Sequence, residues 1–424
     1  MADTIIKQNI KEELLGINKS SSYKFENSLW PVPMEEEWRR TNLAKFDMDG
    51  FRIPANDQVF SSELTAIVDK NGAYSLLIEK SANGKFVVNR NDTKAESIII
   101  YNPAQPIELN EANTLLVSEL AINAANRSDN KLSELALSSF KDSLFILIPA
   151  DLELDKPIIL EFDTNGTTDT FLPNVFVTAG KNSQVKLIQK ITGSDNSHIS
   201  GVFNIYCREN TNIQTATVTD IGSDSLVFLN RYFNIDREAF LSDFQSCSGG
   251  TLFKTRTVVD LAGEKTDARL YGAIFSNDNA HIDMRTVQHH MVKDCFSQAM
   301  IKSVVKDKGR SIYQGLIEVE ENAALTDAYL TNNNLVLDNG ARADSIPSLK
   351  IRNNDVKCSH GSTTGKIDEE QILYLTSRGI SAEEARQMIL EGFFRSVYDQ
   401  LSEDIKLYSF PLIMDKLIQK EVVL

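Results

Sequence analysis

The sequence predicts a mainly β chain, coiled as a solenoid, with helical segments at both ends. Between about residues 141 and 365, short β-rich runs follow one another at 144–148, 158–162, 175–178, 185–191, 202–206, 226–229, 316–319 and 335–337, with no long amphipathic helix between them. Turn-like stretches recur among these runs. Those centred near Lys181, Asn210, Arg237 and Gly263 follow at steps of 29, 27 and 26; those near Asp278, Gly309, Asn322 and Gly340 continue at steps of 15, 31, 13 and 18. Steps of one or one half of a unit of about 28 residues suit coils holding two or three strands each. A β-sandwich also yields many short strands joined by turns, so the period favours the solenoid without deciding it.

The flanks have a different texture. In the first zone, 1–140, the stretch 30–43 places two prolines ahead of an acidic turn, which reads as a helix start. Asn110 precedes an apolar pattern at Leu115, Leu116, Leu120, Ile122 and Ala125, which reads as another helix. The last zone, 366–424, reads as helical throughout. Asp368 suits an N-cap, with Gln371 three residues on, and Gly379 sits where a C′ glycine would end the helix. Ser381 and Glu384 form a second capping box, followed by Ala385, Met388, Ile389, Phe393 and Val397 on one helical face. A third helix is expected from about Ser409, with Pro411 in its first turn and Met414, Leu417 and Ile418 behind it. Helices at the ends of a solenoid cover strand edges that would otherwise invite aggregation.

Composition narrows the function classes. With 42% apolar and 24% charged residues the 424-residue chain has a globular balance, and its length suggests two or three domains unless part is an elongated solenoid. A net charge of −15 argues against a nucleic-acid surface, which needs a basic face. The polar N-terminus carries no signal-peptide pattern and no run of about 18 apolar residues occurs, so a cytoplasmic protein without a membrane span is expected. Cys207, Cys247, Cys295 and Cys358 are widely spread, and no two of them form a C-x-x-C pair. That arrangement encodes neither a disulfide framework nor a locally clustered zinc or ferredoxin-type site. Reduced thiols are the default, with Cys207 and Cys247 packed in the interior. There is no phosphate-binding G-x-x-x-x-G-K-[ST] motif, and Gly249-Gly250 is too isolated to cradle a phosphate.

Several runs carry a resemblance. Pro347-x-Leu349-x-Ile351, the run Asp355-Val356-Lys357-Cys358-Ser359-His360-Gly361, the turn Leu375-x-Ser377-Arg378-Gly379-Ile380 and the helix Ala385-x-x-Met388-Ile389 resemble the C-terminal signature of the SufB/SufD family. Glu37-Trp38-Arg39-x-Thr41-Asn42-Leu43 resembles the N-terminal motif of that family's SufD branch, and Gly315–Val319 is more weakly similar. The resemblance implies a right-handed parallel β-helix flanked by helical domains. It implies a non-enzymatic scaffold in iron–sulfur cluster assembly, paired side by side with a SufB-like paralogue. A SufC-like ABC ATPase would supply the ATP hydrolysis and dock on the C-terminal helices, which assigns Arg378, Gly379, Ile380, Ala385, Met388, Ile389 and Phe393 to that surface. In the SufB branch the equivalent of His360 lies between glutamates; here its neighbours are Ser359 and Gly361. The missing acidic set implies no cofactor stably bound by this chain alone, and a transient iron or Fe–S intermediate shared with the partner.

Cys358 and His360, two apart in a β-like run, share one strand face and can co-ligate a metal. On residue types alone a buried cysteine and a hydrogen-bonded histidine are the favoured reading; the resemblance shifts the balance to a metal role. His289 and His290 are adjacent, so in a strand they face opposite ways and cannot chelate one ion together. Three other readings remain open: a β-helix carbohydrate-active enzyme, a Cys358 nucleophile activated by His360, and a homodimeric scaffold of the same family.

Overall fold

Leu144–Ile148 reads Leu-Phe-Ile-Leu-Ile and is buried at every position, as a strand covered on both faces must be. Such double cover organises the whole molecule in the computed structural model, which describes residues 2–54, 73–80, 86–164, 170–193 and 195–419. Helix α1 (Ala2–Asn27) is followed by β1 (Leu76–Lys80), β2 (Phe86–Arg90) and β3 (Ile99–Tyr101), then by helices α2 (Glu111–Arg127) and α3 (Lys131–Leu137). A run of strands comes next: β4 (Leu144–Ile148), β5 (Ile158–Asp163), β6 (Val175–Ala179), β7 (Gln184–Gly193), β8 (His198–Cys207), β9 (Asn212–Ile221), β10 (Leu226–Ile235) and β11 (Phe240–Ser248). It continues through β12 (Leu252–Leu261), β13 (Asp267–Ser276), β14 (His281–His290), β15 (Phe296–Val305), β16 (Arg310–Val319), β17 (Thr326–Val336), β18 (Arg342–Ile351) and β19 (Val356–Gly365). Helices α4 (Glu369–Thr376), α5 (Ala382–Tyr398) and α6 (Glu403–Gln419) close the chain.

From β4 onward the strands alternate between two sheets, and each pairs in parallel with the strand one coil away. Sheet A holds the odd-numbered strands from β5 to β19, and sheet B the even-numbered ones from β4 to β18. Each coil therefore has two strands, and parallel pairing throughout decides for a parallel β-solenoid over a sandwich. The first zone is not separate from it: β1 extends sheet A in parallel with β5, and β2 and β3 finish the two sheets with antiparallel pairs.

The repeat seen in the turns has a backbone cause. Between a sheet B strand and the next sheet A strand, Asp151, Asn182, Asn210 and Asp294 adopt positive φ, a conformation that Asn and Asp tolerate. Glu238, Lys265 and Leu325 hold the equivalent places. Neighbouring turns are tied together, with Asn182 Nδ2 donating to Asp151 Oδ1 at 2.7 Å and Asn210 Nδ2 to Asn182 Oδ1 at 3.0 Å. Asp278 and Asp307 mark the opposite turn of the coil, which explains the half-period steps.

Apolar residues fill three compartments. The interior between the sheets takes the inward alternation of each strand, such as Val227, Leu229, Phe233 and Ile235 of β10, together with Cys207 and Cys247. The outer face of sheet B is covered by α1 to α3 and by the segment holding Trp38, Leu43, Met48 and Phe51. The outer face of sheet A, including Ile188, Val218, Phe244 and Phe275, is covered by Leu390, Phe394, Val397, Tyr398, Leu401 and Ile405.

Three local expectations are corrected. The stretch 30–43 forms only a single 3-10 turn, Glu36–Trp38, because Trp38 is drawn down onto sheet B. α6 begins at Glu403, not near Ser409, and Pro411 lies inside it. The first turn of α6 has its own acidic residues, Glu403 and Asp404, and the buried Ile405 and Ser409 hold it against the sheet. Met414, Leu417 and Ile418 lie outside the described side chains. The buried stripe of α5 runs through Leu390, Phe394 and Val397, so the face that joins Ala385 to Met388 is split: Ala385 is buried and Met388 is half exposed.

Candidate functional site

β18 and β19 form the last coil, each paired on one side only. Within β18, Pro347 fits an edge strand, where a ladder tolerates a missing N–H. Cys358 is in register with Ala328 and His360 with Leu330, and both of those residues are fully buried in the solenoid interior. Cys358 and His360 thus share the inward-pointing face of a coil that no further coil covers. Cys358 packs partly buried against the interior core, while His360 is exposed. The other strand of the coil contributes Leu349 and Ile351, in register with the buried Ile317 and Val319 yet about 40% exposed. The solenoid interior therefore ends in an open rim of apolar side chains with one thiol and one imidazole among them.

Burial pushes the Cys358 thiol up from its ordinary pKa, and the Asp327 carboxylate adds to the shift. A thiol held protonated is a poor nucleophile, which counts against the activated-cysteine reading. It becomes a ligand when a metal displaces its proton. Burial likewise raises Cys207, to about 12, and Cys247, so these interior cysteines are inert.

At the C-terminus, local sequence sets the helix boundaries. Asp368 caps α4 by accepting from the Glu370 N–H, Gly379 adopts φ +88°, and Ser381 and Glu384 form a reciprocal capping box on α5. Of the residues assigned to partner docking, Arg378, Gly379 and Met388 are exposed, while Ile380, Ile389 and Phe393 are half-buried. Phe393 is held under Lys302, whose ammonium lies 4.5 Å from the ring centroid and donates to the Phe393 carbonyl at 2.6 Å. Ala385 is fully buried and supports the helix from within. The sequence reading missed Leu373, Tyr374 and Leu407, which stand more than half exposed on these same helices. Leu373 and Tyr374 lie on α4 and Leu407 on α6, and apolar side chains on these helices beyond those that pack inward were the signal for them.

The motif Glu37–Leu43 is a staple. Lys254 Nζ and Gln314 Nε2 donate to the Glu37 carbonyl at 3.1 and 3.2 Å, and the Thr41 hydroxyl donates to Asp283. Lys254 also pairs with Asp283 at 2.8 Å and lies 4.6 Å from the Trp38 ring centroid. Burial pushes the Asp283 carboxyl up, but Lys254 and Thr41 more than offset it and the net shift is downward. Nothing in the local sequence points to these partners, which come from the far side of the solenoid run in chain order.

The two histidines part as expected, His290 buried in the interior and His289 on the outer face of sheet B. No helix among the described residues is long and apolar enough to cross a membrane.

Residues 162–393 match the family described as "SUF system FeS cluster assembly, SufBD core domain". A 169-residue stretch is 40% identical to the iron-sulfur cluster assembly protein SufD of Escherichia coli, over 40% of each chain. An iron-sulfur cluster assembly SufBD family protein of Mycobacterium leprae is 32% identical over 189 residues, 42% of this chain and 48% of the relative. One from Staphylococcus epidermidis is 23% identical over 313 residues, 73% of this chain and 66% of the relative. The matches to the first two relatives span less than half of each relative's length. With the family domain covering more than half of its length, around an open-ended parallel solenoid, the chain belongs to the SufB/SufD family and is SufD-like.

Proposed function

We propose that this chain is a non-catalytic scaffold subunit of iron–sulfur cluster assembly, pairing with a SufB-like paralogue through its last coil and docking a SufC-like ATPase on α4 to α6. The observation that carries this reading is the open rim. Leu349 and Ile351 occupy core positions without a core, and the β18 and β19 edges are free to continue both sheets into another solenoid. Cys358 and His360 then lie inside the join, where a partner's acidic ligands would complete a site for iron or a nascent cluster. The exposed Leu373, Tyr374, Met388 and Leu407 give the ATPase an apolar surface, and neither the sequence nor the described residues supply a nucleotide site of this chain's own. A second copy of this chain is the competing occupant of the rim.

The test is to isolate the tagged chain anaerobically from its native cells and identify what accompanies it by mass spectrometry. A SufB-like paralogue and an ABC ATPase are expected, with the paralogue lost and the ATPase retained when Leu349 and Ile351 are both replaced by Lys. Recovery of the chain alone or as a homodimer would overturn the pairing. In cells, Cys358→Ala and His360→Ala are expected to leave folding intact and to lower the activity of iron–sulfur enzymes; normal activity in both would remove the metal role from this pair.

A further inference from the structure

A row of charged side chains crosses the outer face of sheet B, one per coil and in register: Asp260 on β12, His289 on β14, Glu318 on β16 and Lys350 on β18. Glu320, one residue past the end of β16, brings its carboxylate to His289 from the same side. The ligand atoms of His289, Glu318 and Glu320 all lie within 4.8 Å of one another, and these three half-buried residues are the only such group of metal-binding type among the described residues.

The hydrogen bonding of the imidazole is what singles the group out. His289 Nδ1 is 2.9 Å from Asp260 Oδ1, and Nε2 is 3.3 Å from Glu320 Oε1. Ionised carboxylates only accept, so Asp260 requires the proton on Nδ1. Asp260 is itself buried and fixed by Tyr232 Oη at 2.6 Å and Arg127 Nη2 at 3.0 Å. The remaining lone pair on Nε2 then faces a second acceptor, and two acceptors at that distance need a cation between them. A second proton is one solution. A metal ion is the other, and the Asp260–His289 bond is the arrangement that orients metal-bound histidines elsewhere.

We propose that His289 Nε2, Glu318 and Glu320 bind one divalent first-row transition cation, with Asp260 orienting the imidazole. One nitrogen and two carboxylates without a thiolate suit Zn²⁺, Co²⁺ or Fe²⁺ better than a cuprous ion, and the imidazole disfavours Mg²⁺ and Ca²⁺. Lys350 and Arg352 now pair with Glu318 and Glu320. Both cations are well exposed, so a metal ion at the site displaces only surface ion pairs, which are weak. The site is separate from the rim: it faces outward from the other sheet, whereas Cys358 and His360 face inward on β19.

The experiment uses the full chain carrying Cys358→Ser and His360→Ala, stripped with chelator and titrated at pH 7.5 with Zn²⁺ by calorimetry and with Co²⁺ by absorption. One ion per chain is expected, with cobalt d–d bands and no thiolate charge transfer. His289→Gln keeps an N–H for Asp260 but is a poor ligand; it and the double variant Glu318→Gln/Glu320→Gln are expected to lose saturable binding with an unchanged circular dichroism spectrum. Asp260→Asn is expected to weaken binding about 10–100-fold. No uptake by the parent chain, or uptake unchanged in the His289 and glutamate variants, would overturn the site and leave a proton as the cation on Nε2. Neither result bears on the rim or on the partners.

Discussion

Asp283 is fully enclosed between Lys254, Thr41 and Gln314, so this one carboxylate holds the N-terminal staple to the middle of sheet B. Removing one member of a buried pair leaves the other charged and unpaired. Asp283→Ala is expected to destabilise the chain by about 3–5 kcal/mol, whereas Thr41→Val, which removes a single donor, should cost about 1–3 kcal/mol. Urea unfolding at pH 7 followed by tryptophan fluorescence distinguishes the two, since Trp38 packs beside Lys254. His281 lies in the same region, against Thr41 and Phe46, and burial lowers its pKa to about 4, the nearby Asp283 opposing and Arg310, Lys254 and Lys45 reinforcing the shift. Between the ordinary value of 6.5 and about 4 the unfolded chain binds a proton that the folded chain refuses. Stability from this group is therefore present above pH 6.5 and lost as pH falls through that window, by on the order of 3 kcal/mol. The urea midpoint of His281→Gln, measured at pH 7 and pH 4.5, is expected to change less than that of the parent.

Among the elements, the C-terminal helices do two jobs at once. α5 and α6 bury Leu390, Phe394, Val397 and Ile405 on the outer face of sheet A while leaving Met388 and Leu407 outside. Deleting residues from Ser381 onward would strip the cover from Ile188, Val218, Phe244 and Phe275, so the truncated chain is expected to aggregate in light scattering. It is for that reason a poor test of partner binding. Met388→Asp and Leu407→Asp act only on the exposed side and are expected to leave stability within about 0.5 kcal/mol while abolishing capture of the ATPase. Ser381→Ala removes the cap that accepts from the Glu384 N–H and should destabilise α5 by about 1 kcal/mol, read as a lower thermal midpoint.

At the scale of the molecule, the two ends of the solenoid are unlike. The first end is finished by antiparallel strands β2 and β3, with nearby cover from α1 to α3 on sheet B. The last coil has no such finish, and its exposed residues include Leu349 and Ile351 at about 39–40%. A long, open and partly apolar edge on a native chain is either covered by a partner or prone to self-association. Purified alone, the chain is expected to associate with itself in a concentration-dependent way in size-exclusion light scattering, and the Leu349→Lys/Ile351→Lys variant to remain a monomer.

Local chemistry made the helix caps legible: Asn110, Asp368 and Ser381 each cap the helix that the sequence predicts there, although Asp368 accepts from the Glu370 N–H and forms no capping box with Gln371, and Gly379 takes the positive φ of a helix end. The coil repeat was legible too, because an Asn or Asp in the left-handed conformation is needed at most of the turns. The opposite facing of His289 and His290 follows from the two-residue period of a strand. Tertiary structure alone decided the rest. Parallel pairing stacks positions one coil apart, so the row Asp260–His289–Glu318 exists only once the coils are in register. Lys254 and Asp283 meet the Glu37–Thr41 stretch from a distant part of the chain, and the face of α5 that is buried is set by the sheet it rests on. Periodicity in a single strand or helix reports which residues share a face, while the identity of what that face meets is a property of the folded whole.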